Sequence, residues 1–281
     1  MTSDAAGPRP DDGAPGGSPL QGFAVWVEHF AANRSTQVAL ERSVDWDAPC
    51  ALSPEQHRAF VRSFQRFELG EGGDGTRLLS KARRAGDLVY VDALERLVAE
   101  EQRHSALFRR GLDHLGAPTL DSHWSDAAFT RLRRLLGLRT ELALFLVAES
   151  VAMGYFTALA SAAPDEVLRG IGRRVASDEV HHLRFQVDRL HQGFHASRRP
   201  VRALVGAAWS LVALGAATVL VVDHAGALRA CGLRPIRAWV GALRSFRTSA
   251  RLALGRPDAG MLGPAPAEAV TAAVEGRRAL R

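Results

Sequence analysis

The chain has 281 residues, 47% of them apolar, which is enough to bury a sizeable core. Its two cysteines, Cys50 and Cys231, lie far apart and outside any C-x-x-C spacing; this argues against a disulfide framework or a thiolate metal site and fits a reducing, cytoplasmic setting. The net charge of +6 does not argue for nucleic acid, because Lys81 is the sole lysine, and an arginine bias beside so much Ala and Gly reflects a GC-rich coding sequence.

Residues 1–20, rich in Pro, Gly and Asp, read as a disordered lead rather than a signal peptide. A short helix is expected around 21–43. From residue 54 onward the helical period recurs and almost nothing alternates with the period of a strand, so the chain reads as all-α. Ser53-Pro54-Glu55-Gln56 carries the marks of a helix start, and helix 1 is expected to run to about Ala85. Gly86-Asp87 then ends one helix and caps the next. Helix 2 runs to about Leu115, the GAPTLDSHWSD segment connects, helix 3 spans roughly 126–162, and Pro164-Asp165 leads into helix 4, which lasts to about Phe194.

Followed at steps of three and four, each helix shows one apolar stripe interrupted at its middle. Helix 1 gives Phe60, Phe64, Phe67, Glu71, Asp74, Leu78; helix 2 gives Leu94, Leu97, Glu101, His104, Phe108. Helix 3 gives Leu142, Phe145, Glu149, Ala152, Phe156, and helix 4 gives Leu168, Val175, Glu179, His182, Phe185. An ionised carboxylate buried without a partner costs several kcal/mol, so four such intrusions call for a shared cation. Glu71 and Glu101 are separated by the same interval as Glu149 and Glu179, each pair with its turn midway. Aligning Glu71 with Glu149 also aligns Glu100 with Asp178, Glu101 with Glu179 and His104 with His182, without a gap. The pattern is that of a duplicated hairpin, each half giving one Glu and one Glu-x-x-His.

Four carboxylates and two imidazoles suit two iron ions, or manganese in their place, bridged by carboxylates. Glu71 competes with Glu68, but Glu71 continues the stripe and obeys the symmetry. Glu100 and Asp178 are expected behind the imidazoles, holding their second ring nitrogens, and Asp74 is a further candidate for that supporting role. His181 lies about 100° round the helix from His182 and is expected at the surface or behind the ligands. Tyr90 is expected in the core.

Glu71, E101-x-x-H104, Glu149 and E179-x-x-H182 resemble the ferritin-like di-iron carboxylate superfamily over roughly residues 54–195. EEQRH and DEVHH look like the motifs of its oxygen-activating branch, which includes acyl-carrier-protein desaturases and p-aminobenzoate N-oxygenases. The N-oxygenases' additional histidine falls at Val175 here, leaving the simpler six-ligand set. The resemblance implies a ferritin-like four-helix bundle over residues 21–196, including the N-terminal helix, that uses O2 to hydroxylate, desaturate or N-oxygenate a small organic or acyl substrate. No nucleotide-binding motif is evident, so electrons are expected from an external donor, a ferredoxin or flavoprotein. Ferroxidase or peroxide handling, or a non-catalytic membrane-associated role, stands as the alternative, and a homodimer is compatible with the pattern.

Residues 197–281 hold thirteen Arg against four acids. Within 197–260 lie a charge-free stretch, 203–222, long enough for a membrane span, and a basic amphipathic helix over 235–255. The first reads either as a helix buried on the bundle or as a span, and the second as a face for anionic lipid or an acidic partner. Residues 261–281 are expected to form a flexible tail.

Overall fold

The computed structural model describes residues 22–134, 137–256 and 260–276. The expected disordered lead lies outside them. All regular elements among the described residues are helices: α1 (Ala24–Arg42), α2 (Pro54–Glu71), α3 (Thr76–Arg84), α4 (Leu88–His114), α5 (Trp124–Arg134), α6 (Leu138–Ala162), α7 (Glu166–Phe194), α8 (Arg199–Asp223), α9 (Ala225–Ala230), α10 (Pro235–Ala253) and α11 (Ala267–Glu275).

Helices α2 and α4 pack as one pair and α6 and α7 as another, with α4 against α7 joining them. Local chemistry sets where they begin. Ser53 accepts from Gln56 N at 3.3 Å while Gln56 Oε1 accepts from Ser53 N at 3.0 Å, a reciprocal cap that satisfies donors no helical carbonyl reaches. Asp87 caps α4 through Tyr90 N at 3.0 Å, and Asp165 caps α7 through Leu168 N at 3.1 Å. The two matched hairpin turns thus start their second helices in the same way. Gly172 lets α7 approach α6, since a Cβ there would lie 2.5 Å from the Ala160 backbone nitrogen.

Two boundaries differ from the sequence expectation. Helix 1 does not continue to Ala85: it stops at Glu71, and the Gly72–Gly75 linker turns the chain before α3. Gly75 has φ of +65°, and any Cβ there would also meet Val98 at 2.7 Å. The long helix 3 is split into α5 and α6, with Gly137 preceding the second.

Helix α1 lies across α4 and α7 and buries Phe23, Trp26 and Phe30 against Phe185 and Tyr90. Tyr90 is in the core, stacked on Phe185 with centroids 5.5 Å apart. Residues 260–276 are not a free tail. Asp188 accepts from Leu262 N at 2.6 Å and Gly263 N at 3.0 Å, Arg184 donates to both carbonyls, and α11 packs on α6 and α7.

Helix α8 is neither wholly buried nor free. Trp209, Ala213, Ala217 and Leu220 face the bundle, while Leu204, Leu211, Leu214 and Val222 face outward. Among the described residues, α6 and α8 are the helices long and apolar enough to cross a membrane.

Candidate metal centre

Glu101, His104, Glu179 and His182, from the middles of α4 and α7, offer donor atoms that all lie within 4.8 Å of one another. His104 Nδ1 is 3.4 Å from Glu179 Oε1 and 3.7 Å from Glu101 Oε2; His182 Nδ1 is 2.8 Å from Glu101 Oε1. His104, Glu179 and His182 are wholly buried. Glu71 from α2 joins them, close enough to Glu101 for a side-chain hydrogen bond, and Glu149 from α6 faces Glu179 and Glu101. All six sequence candidates therefore meet in one place.

Glu68 does not. It points away to the guanidinium of Arg109, at 2.6 Å from Nη2, so the choice of Glu71 over Glu68 agrees with the geometry. Asp74 is a correction: it is exposed in the linker, and its carboxylate accepts from Thr76 N at 3.0 Å, which lowers its pKa. The break after Glu71 removes the helical register that would have carried Asp74 inward.

The cluster's electrostatics ask for a cation. Burial, then the charges of neighbouring carboxylates, pushes Glu71 and Glu149 well above the usual carboxylate range. Burial opposes the charged form of His104, yet Glu101 and Glu179 outweigh it and hold the ring up at about 9; His182 is raised for the same reasons. Glu101 is held well below its ordinary value by His182 and His104 despite its burial. Glu149 Oε2 and Glu179 Oε2 are buried without a hydrogen-bond partner, and Glu101 Oε1, Glu179 Oε1, His104 Nδ1 and His182 Nδ1 have only one another, at 2.8–3.8 Å and without good hydrogen-bond geometry. Orphaned acceptors and imidazole nitrogens on the facing sides of one cluster are what a pair of metal ions would satisfy.

The other imidazole nitrogens are tied down across the molecule. His104 Nε2 lies 2.9 Å from Asp178 Oδ2, and His182 Nε2 lies 2.9 Å from Glu100 Oε2, so each half's acid holds the other half's ring. That bond directs each Nδ1 at the cluster. A further layer from α1 was missed by sequence reasoning. Asn33 Nδ2 donates to both Glu100 (3.2 Å) and Asp178 (3.0 Å), Gln37 bonds the same two acids, and the fully buried Arg174 pairs with Asp178 and Glu41. The available signal was the α1 stripe Trp26, Phe30, Asn33, Gln37, Glu41, which turns from apolar to polar halfway along. His181 is buried rather than on the surface, its Nδ1 accepting from Ala265 N at 3.2 Å.

The far side of the cluster is open. A cavity of about 920 Å³ is lined by Glu71, Glu101 and Glu149, by apolar side chains, among them Phe67, Leu97, Phe145 and Phe156, and by further charged side chains, among them Arg66, Arg77, Lys81 and Asp223. The inner flank of α8, including Val212, Ala216 and Val219, forms part of its wall, as does the exposed Trp124. Gln186 donates to Glu149 Oε1, fixing that carboxylate where cluster and cavity meet.

Cys50 also comes within 4.8 Å of His114 and Asp165, a grouping the sequence spacing did not foretell. Its acid is occupied by the fold, accepting from Leu168 N, Ala51 N at 3.1 Å and His114 Nε2 at 3.2 Å.

Fold and site together define an all-helical protein with a buried Glu/His cluster that could hold a metal. No protein-family description, curated protein or solved structure matches the chain.

Proposed function

We propose that this chain is a ferritin-like, di-metal carboxylate oxidoreductase, with iron as the favoured metal over manganese, that uses O2 to oxidise an organic or acyl substrate held in the largely apolar cavity. One observation carries the reading: three of the six candidate ligands, Glu71, Glu101 and Glu149, line that cavity. A metal kept for stability alone needs no such access.

Glu71, Glu101, His104, Glu149, Glu179 and His182 would hold the two ions. When bound, a reduced iron pair supplies electrons to O2 and the oxidising power to attack a nearby C–H or N–H bond. The chain's own residues do the rest. Glu100 and Asp178 keep the imidazoles turned so that Nδ1 faces the cluster, and Asn33, Gln37 and Arg174 hold those acids in turn. Helix α1 seals the imidazole side against water. Phe67, Leu97, Phe145 and Phe156 give the substrate side a largely apolar lining, which favours a hydrocarbon-like group, while Arg66, Arg77 and Lys81 could meet a polar or anionic end of the same substrate. Electrons come from a separate ferredoxin-like or flavin-containing donor, consistent with the absence of a nucleotide-binding motif in the sequence.

The test is oxygen uptake by iron-loaded, chemically reduced protein. A single stoichiometric uptake, restored by each new reduction and followed by oxidation of an added acyl substrate, supports the reading. Sustained oxidation of added Fe(II) with no effect of organic substrate would replace it with ferroxidase activity.

A further inference from the structure

We infer that the outer surface formed by α8 and α10 docks on an anionic lipid bilayer. The bilayer is recognised in two ways at once. Along α8, Leu204 is 73% exposed, Leu211 72% and Val222 69%, and the charge-free run 203–222 spans roughly 30 Å of helix. Its outward hydroxyls are withdrawn: Ser210 donates to Gly206 O at 2.7 Å and Thr218 to Leu214 O at 2.8 Å, so neither leaves an unpaired donor toward an apolar phase.

Beside this face runs the charge that selects its occupant. Helix α10 turns Arg237, Arg244, Arg247 and Arg251 outward while burying Ala238, Ala242, Phe246 and Ala253. Between the two helices lies a groove of about 450 Å³ lined by Arg199, Arg202, Arg247 and Arg251, by Ser210 and by apolar residues, with no carboxylate in its wall. Arg202 Nη1 is buried there without a hydrogen-bond partner. Guanidinium groups with no counter-charge among the described residues, set against an apolar ridge, fit a phosphate headgroup whose acyl chains lie on α8. A second copy of this chain would bring the same arginines against one another, which disfavours it as the cover.

The helix that presents this face outward is the helix whose inner flank, at Val212, Ala216 and Val219, walls the cavity beside Glu71, Glu101 and Glu149. Docking therefore stands independently of the metal chemistry. Its consequence, that the cavity draws an acyl substrate from the membrane, rests on the proposed function.

The experiment is vesicle flotation of the full chain, with and without bound metal, on phosphatidylcholine vesicles and on vesicles containing about one-third phosphatidylglycerol. Binding to the anionic vesicles in both metal states, at least about ten-fold stronger than to the neutral ones and weakened by salt, is expected. R247E/R251E should lose this preference, and L204S/L211S should reduce binding while both proteins keep the wild-type circular dichroism melt. Inorganic phosphate at millimolar concentration should not release the protein. No binding, equal binding to both vesicle types, release by free phosphate, or a dimer in light scattering that persists on vesicles would each overturn the inference. Binding that survives complete metal depletion, beside an absence of oxygen chemistry, would refute the proposed function and leave the docking surface in place.

Discussion

Helices α6 and α8 are each 25 residues long and apolar enough to cross a membrane, yet the most apolar window is 72% buried in α6 and 22% buried in α8. Composition does not separate them; the placement of their polar residues does. In α6, Glu141 meets Lys81 at 2.6 Å, Ser150 meets Ser249 at 3.0 Å, Tyr155 meets Ser63 at 2.6 Å and Glu149 meets Gln186, each partner on another element. In α8, Ser210 and Thr218 bond their own helix, and the polar contacts to other elements are a Trp239 Nε1 donor to Thr218 at 3.2 Å and an Arg66–Asp223 pair at 3.4 Å at the helix end; a stripe at Trp209, Ala213, Ala217 and Leu220 packs it on the bundle. A buried apolar helix is pinned along its length by polar side chains that need distant partners, and a half-exposed one is held chiefly by apolar packing.

That contrast can be broken most sharply by placing the same charge on each helix. Leu146→Asp in α6, at a wholly buried position, should cost more than about 4 kcal/mol and leave little folded protein, whereas Leu211→Asp in α8 should stay within about 0.5 kcal/mol of wild type in urea unfolding. Comparable losses at both sites would mean that the outer face of α8 is covered in solution. Trp209→Ala, which removes the α8 ring packed on Phe194 with centroids 5.7 Å apart, should cost about 3–5 kcal/mol by the same measurement.

Inward polar groups should behave in the opposite way to apolar ones. Burial and the charges of Glu179 and Glu101 oppose ionisation of Glu149, so Glu149→Gln should stabilise the metal-free protein by about 1–3 kcal/mol at neutral pH while abolishing metal retention. A metal-free Tm that falls instead would assign Glu149 a purely structural role. Asn33→Ala loosens the acids behind both imidazoles and should weaken metal binding by about 10–100-fold in a chelator competition, with a smaller change in Tm. The smallest effect is expected for Ser210→Ala, within about 0.5 kcal/mol, since its hydroxyl bonds Gly206 O of its own helix and serves no group in the core.

The convergence of Glu71, Glu101, His104, Glu149, Glu179 and His182 was legible in the sequence because two signals coincided. Each carboxylate interrupts an apolar stripe of helical period, and a gapless internal repeat relates the two halves. The repeat also pointed to Glu100 and Asp178 as matched supports. It could not show that the supports cross over, each acid holding the ring of the other half, because that depends on the distance between α4 and α7 rather than on either sequence.

What the repeat hid was where the halves differ. The apolar stripe resumes at Leu78 and so hides the break at Gly72–Gly75, where the helix ends after Glu71 and the positive φ at Gly75 leaves Asp74 in solvent. Helix α1 has no counterpart in the repeat, so Asn33 and Gln37 carried no periodic signal tying them to the acids they hold. The exposed half of α8 was illegible for a simpler reason. Leu, Val and Ala look the same in a sequence whether they face a core or a lipid.

The central claim is that the six converging side chains hold two metal ions, and metal content per chain tests it most directly. Protein produced in iron- and manganese-replete medium and measured by plasma mass spectrometry should carry about two equivalents, falling below half an equivalent in His182→Ala at retained helical content. Wild-type protein that is folded, takes up less than one equivalent after reconstitution, and matches His182→Ala would contradict it.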